Sequence, residues 1–292
     1  MPEDISRVRE ALCQASYPPA ACARLVAECS SDSADIAPIL ALKKSLQQSG
    51  LRWDGDTFER ALLASAAEAT APGIDGLPVH PGVKRLLRDE FVFYTEPSSN
   101  AANALEPGKY LFTTGCRVIS LRRFPCGPMD WVVSGLPRSW IVKAPPLEIP
   151  RFLWFVVRRM GGVAPLFYMH VARRPKNRGL LLEKEVLASY YRMARSLEYQ
   201  PDIKGILGSS WFFDPAALRD NPHLAWVNRP YLETKSLIMP LFPADADAGF
   251  LEYNAARKKQ FAEGTLRYRI AAAIWPRQSA LDWAAQHPEL DR

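Results

Sequence analysis

Residues 166–211 constrain the fold more tightly than any other stretch of the chain. An apolar run, LFYMHVA (166–172), passes through the basic segment RRPKNRG (173–179) and a long charged-and-apolar stretch into a second apolar run, IKGILGSSWFF (203–213). Between the runs, Leu182, Val186, Leu187, Tyr190, Ala194 and Leu197 step by four, one, three, four and three residues. That spacing is the buried face of an amphipathic helix, with Glu183, Lys184, Arg192 and Arg195 on its other face. The flanking runs are short and rich in aromatic or branched residues, which suits strands. Strand, helix and strand at this spacing predict an α/β layer structure.

The chain divides around this unit. In the first seventy residues Ile5, Val8 and Leu12, then Leu25, Val26 and Cys29, then Ile36, Ile39, Leu40 and Leu46 form helical stripes. Asp56 is placed to cap a fourth helix, with Phe58, Leu62 and Ser65 on one side. Residues 1–70 are therefore expected to be a helical segment. Residues 71–90, which open on APGIDGLPVHPG, are expected to be a linker and short helix, because crowded Gly and Pro sustain neither a helix nor a central strand. Residues 91–292 are expected to be a mixed-sheet α/β domain. FVFYTEP, KYLFTTGCRVISLRRF and DWVVSGLPRSWIVKA read as mostly antiparallel strands. Pro150 and Gly161-Gly162 bracket a helix over RFLWFVVRRM. Asp214-Pro215 and Asn221-Pro222 mark two helix starts, and Asp247 a longer helix through Phe261. TLRYRIAAAIW reads as a strand with Leu266, Tyr268, Ile270, Ala272 and Ile274 on one face and Arg267 and Arg269 opposite. Ser279 and Asp282 resemble a capping box for the last helix.

Composition narrows the functional classes. Hydrophobic residues make up 48% of the chain and charged residues 23%, which is globular rather than disordered. The net charge of +6 is scattered, without a basic arm or a nucleic-acid-binding signature, so no nucleic-acid partner is expected. Five cysteines without a C-x-x-C pair, no apolar run behind an N-terminal basic patch and no apolar run of spanning length lead to the expectation of a cytoplasmic protein. Cys13, Cys22 and Cys29 fall on helical stripes and read as small core residues.

The basic loop carries the main chemical expectation. Between a strand and a helix start, Arg173, Arg174, Lys176 and Arg178 stand where free amides favour an anion, and Gly179 permits close backbone approach. A charged surface turn fits the same residues. No P-loop or dinucleotide fingerprint is present. Cys116 and Cys126 have basic neighbours that could lower a thiol pKa, with His170 or His80 as a base, but buried or idle thiols fit these residues better. His80, His170, His223 and His287 are too scattered for a metal motif, and no metal is expected. RFLWFVVRRM has the make-up of an interfacial helix, so peripheral membrane contact is a candidate; being apolar nearly all round, it also suits a buried helix.

LFYMHVA, RRPKNRG, LLLEKEVLASYYRMARSL and IKGILGSSWFF together resemble the central unit of the GCN5-related N-acetyltransferases. The resemblance implies an acetyltransferase-like β-α-β unit within the mixed sheet and acyl-coenzyme A as co-substrate. It implies that Arg173, Arg174, Asn177, Arg178 and Gly179 hold the diphosphate, and that the two strands splay to form a pantetheine slot. Met169 to Val171 would run beside the pantetheine, with Ser209 or Ser210 near the acyl group. The implied reaction is acyl transfer from this small-molecule donor to an unidentified amine or similar nucleophile. His170, Glu183 and Tyr190 are the available candidates for a catalytic base. The alternative is a non-catalytic protein that binds a partner or an anionic membrane through basic and aromatic faces.

Overall fold

The computed structural model describes residues 55–96, 110–172, 182–244 and 255–291. Among these, six strands form one mixed sheet. Its spatial order is β1 (Arg123–Pro125), β2 (Met129–Ser134), β3 (Leu166–Val171), β4 (Gly205–Ser210), β6 (Arg269–Pro276) and β5 (Leu237–Pro243). Every neighbouring pair is antiparallel except β3 and β4. That pair is parallel because α6 (Glu183–Ser196) lies between them in sequence, and a parallel pair needs such a crossover.

Side-chain alternation gives the sheet two apolar faces. The first carries Trp131, Phe167, Met169, Ile206, Ala273 and Trp275. It is covered by α1 (Gly55–Thr70), α2 (Pro81–Thr95), α3 (Tyr110–Ile119), α6 and α10 (Arg277–Gln286), which supply Leu63, Leu87, Phe112, Tyr190 and Trp283 to the same cluster. The second face carries Leu166, Leu207, Met239 and Ile274 under α4 (Ser139–Lys143) and α5 (Ile149–Phe155). Helix α5 widens into a π turn over Val156–Met160 and ends on Gly161, whose φ of 67° is left-handed. Three short helices, α7 (Pro215–Asp220), α8 (Arg229–Glu233) and α9 (Ala255–Ala262), complete the described elements. On the first face Trp131 stacks between Phe124 and Phe167, with ring centroids 4.3 and 3.9 Å away. Such pairs contribute about 0.5–1.5 kcal/mol each beyond their buried area.

The α/β expectation holds, as do the strands at 166–171 and 205–210 and the helices at 149–155 and 183–196. Several local expectations do not. FVFYT belongs to α2 and YLFTTGCRVI is α3; neither is a strand. Val83, Leu87, Phe91 and Tyr94 form a helical stripe that begins upstream of residue 91, so a window opened there hides it. SWIVK is helix α4, leaving only MDWVVS of its segment as a strand. Strand β5, LIMPLFP, was not expected; Pro240 discourages it, and its position at the sheet edge beside a register shift accommodates that residue. His80 is buried and caps α2 by accepting from Gly82 N at 3.2 Å. Arg192, assigned to the outer face of α6, is buried and donates to the Cys126 carbonyl at 2.8 Å. Asp214 caps α7 as expected, through Ala216 N at 2.9 Å. Asn221 does not cap the next turn and donates instead to the Ala217 carbonyl. Helix α10 begins at Arg277 behind Pro276, without a side-chain cap, so Ser279 and Asp282 form no capping box. The stripes expected before residue 55, Cys13, Cys22, Cys29 and Asp247 lie outside the described residues.

Candidate functional site at the carboxyl ends of two parallel strands

The β3–β4 ladder is short. Phe167 pairs with Ile206, Tyr168 with Leu207 and Met169 with Gly208, and there it stops. Both strands nevertheless continue, β3 to Val171 and β4 to Ser210. Past the last rung each is held by its outer neighbour: β2 stays with β3 as far as Met129 opposite Val171, and β6 stays with β4 as far as Ala271 opposite Ser210. Backbone pairing within the central parallel pair therefore stops before the carboxyl ends of both strands. At the last rung Met169 lies across its neighbour, because a Cβ added at Gly208 would stand 2.4 Å from the Met169 methyl and 3.3 Å from the Phe213 ring. Carboxyl ends of parallel strands are where ligands of α/β sheets bind, and here they are unpaired with each other.

Polar side chains collect on the second face beside this gap. Tyr168 and His170, two residues apart on β3, project to the same side with ring centroids 4.5 Å apart. The Tyr168 hydroxyl meets the Ser209 hydroxyl across the seam at 2.9 Å, and Trp140 from α4 sets its ring edge-on to Tyr168. Asp130 stands opposite His170 on β2, and Arg123 on β1 reaches Asp130 at 2.8 Å with both side chains almost fully buried. The end of α3 aims that arginine. Leu121 adopts a left-handed φ of 58° and Arg122 N returns to the Arg117 carbonyl at 2.8 Å, a Schellman-type closure that turns the chain directly into β1.

The cluster decides the state of His170. Burial, then the nearby charges of Arg123 and Arg117, pulls the imidazole pKa down to about 3, although the residue as a whole is only partly buried. The ring is therefore neutral at physiological pH, able to donate through one nitrogen and accept through the other. A base that weak removes protons poorly near neutrality. Its geometry suits hydrogen bonding and orientation of a bound group.

The other candidates are dispersed. Glu183, at the start of α6, is substantially exposed and pairs with Arg229 at 3.1 Å. Tyr190 is fully buried under the first face, edge-on to Tyr231 and Trp275, and burial raises its phenol well above the usual range. That places it in the core, consistent with its position in the helical stripe. Cys116 and Cys126 are both buried; the Cys126 thiol donates to the Met129 carbonyl at 3.2 Å. Ser209 and Ser210 lie on β4 beyond its last rung with β3, as partly exposed residues. Arg173, Arg174, Asn177, Arg178 and Gly179 lie outside the described residues. Among the described residues no group of three His, Cys, Asp or Glu could hold a metal ion.

Sequence reasoning missed Tyr168, Asp130, Arg123 and Trp140. The two-residue spacing of Tyr168 and His170 was a visible signal for a shared strand face. Asp130 and Arg123 join them only through the registers of two antiparallel pairs, which no local pattern specifies.

Neither a protein-family model nor a curated protein matches the sequence. Solved structures to which the chain shows similarity include an acyltransferase in complex with decanoyl-CoA, at 14% identity and a TM-score of 0.44, covering 76% of this chain and 66% of that one. Another is an acyltransferase in complex with decanoyl-CoA and teicoplanin, at 13% identity and a TM-score of 0.38, covering 93% of this chain and 77% of that one.

Proposed function

We propose that the protein is an acyl-CoA-dependent acyltransferase acting on an amine or similar nucleophile. The observation that carries this reading is the parallel β3–β4 ladder that ends at Met169 and Gly208 while both strands run on. A flexible, hydrogen-bonding arm such as pantetheine is the kind of ligand that a strand-shaped gap accepts, since it can take up ladder positions that the neighbouring strand leaves. In this reading the segment 173–181, between β3 and α6, supplies Arg173, Arg174, Asn177, Arg178 and Gly179 to the diphosphate, as charge-assisted contacts.

The reaction joins the acceptor nitrogen to the thioester carbonyl carbon and breaks the carbon–sulfur bond. The nitrogen loses one proton and the departing sulfur gains one. The Tyr168–Ser209 hydroxyl pair, at the head of the gap, is the proposed donor to the sulfur. Neutral His170 orients the acceptor, and bulk water takes up the nitrogen's proton. Glu183 is a less favoured base because Arg229 already occupies its carboxylate.

Thermal denaturation of the full chain with added coenzyme A tests this. Ligand at about a hundred times its dissociation constant stabilises the folded state by about 2.7 kcal/mol, a rise of several degrees. Arg174→Ala and Arg178→Ala should diminish the shift while leaving the ligand-free melting temperature unchanged. No shift at millimolar coenzyme A would remove the acyltransferase reading. It would leave the alternative, a non-catalytic protein that docks through basic and aromatic faces, which the exposed apolar side chains at 142–163 favour.

A further inference from the structure

The segment covering the second face of the sheet is apolar on both of its sides. Phe152, Phe155, Val156 and Met160 point inward and are buried. On the outer side of the same helix, Leu153, Trp154 and Val157 are 45%, 59% and 69% exposed. Just upstream, Val142 and Leu147 are 86% and 94% exposed. A helix with one apolar stripe ordinarily turns polar residues to solvent. Here the solvent side carries large apolar residues as well, beyond what packing on the sheet requires.

The polar residues among them are nearly all cations. From residue 138 to 163 the chain carries Arg138, Lys143, Arg151, Arg158 and Arg159, all exposed, against the single acid Glu148, a net charge of +4. Glu148 is engaged with Arg151 at 3.4 Å. Trp154 is flanked on its own helix side by Arg151, three residues before it, and Arg158, four residues after it. Apolar tips bordered by long cationic side chains, with a tryptophan among them, are the composition of a surface that sits at a lipid headgroup boundary.

We infer that residues 138–163 form a docking face for an anionic lipid membrane. Leu147, Leu153, Trp154 and Val157 enter the headgroup and upper acyl region, and the surrounding arginines and Lys143 lie against lipid phosphates. A protein partner would need an apolar groove matched to two separate turns of chain and several acids around it. A bilayer surface supplies apolar depth and dense negative charge without such matching. The contact is peripheral, since no helix among the described residues is long and apolar enough to cross a membrane. This assignment stands on the outer face of α4 and α5 and is independent of coenzyme A binding.

Flotation of the full chain with phosphatidylcholine vesicles, with and without roughly one third phosphatidylglycerol, tests it, since each basic side chain near an anionic surface strengthens binding by about fivefold. The protein should float with the anionic vesicles, remain behind with the neutral ones, and detach as salt is raised. Arg151→Gln with Arg158→Gln should weaken binding roughly 25-fold. Trp154→Ser with Val157→Ser should also weaken it, and because these side chains are exposed, both double variants should melt with the wild type. Failure to float with anionic vesicles overturns the inference, as does flotation undiminished in both double variants. A concentration-dependent dimer that Trp154→Ser dissociates, without vesicle binding, also overturns it by showing that a second copy covers the face.

Discussion

The neutral state of His170 has a measurable consequence for stability against pH. Its folded pKa of about 3 lies below the unfolded value of 6.5, so below pH 6.5 the unfolded chain takes up a proton that the folded protein refuses. Stability from this group is fully present above pH 6.5 and is lost as pH falls toward 3. The loss builds up below pH 6.5, so lowering the pH from 6.5 to about 4.5 removes on the order of 2 kcal/mol. His170→Gln keeps a hydrogen-bonding side chain at the strand end and cannot titrate. Urea unfolding of both proteins at about pH 7 and pH 4.5 isolates the contribution. Other titrating groups, including buried His80 with its lowered pKa, are common to both proteins and cancel. The wild type should lose roughly 2–3 kcal/mol more than the variant over this interval. Equal losses would show that His170 titrates normally and would undo the argument that it is neutral because of burial and Arg123.

Two substitutions probe the frame around the site. Gly205 opens β4 with φ at 156°, and a Cβ there would stand 2.2 Å from the Trp275 carbonyl oxygen, so Gly205→Ala should destabilise by more than about 2 kcal/mol in chemical denaturation. Asp130→Ala leaves the buried Arg123 without its carboxylate and should cost about 3–5 kcal/mol, whereas the apolar pair Arg123→Met with Asp130→Leu should recover much of that loss.

The central unit was legible because its signals were local and mutually consistent. The stripe from Val186 to Leu197 fixes a helix and its buried face, and the apolar runs on either side are too short for anything but strands. The mistaken strands at 91–95 and 110–119 show where that logic fails. Their aromatic and branched residues favour strands weakly, and packing of Tyr94, Phe112 and Cys116 into one core overrides the preference. The site was only half legible for a different reason. His170 and Ser209 could be named from their strands, but the group around them depends on register. Asp130 stands opposite His170 because Met129 pairs with Val171, and Arg123 reaches Asp130 because a hairpin closes at Cys126. Arg192 was misjudged because a charged residue beside a helical stripe ordinarily faces water, whereas here a backbone carbonyl receives it.

The short ladder at the centre has a mechanical consequence. Three rungs join a half made of β1, β2 and β3 to a half made of β4, β6 and β5, whereas β2–β3 and β4–β6 each run for six. Backbone hydrogen bonding thus leaves a seam down the middle of the sheet, closed mainly by side chains packed across it on both faces. Tyr168 and Ser209 form a polar stitch at its open end. A molecule lying in that seam would touch both halves at once and act as a clasp, coupling occupancy of the site to the cohesion of the whole sheet.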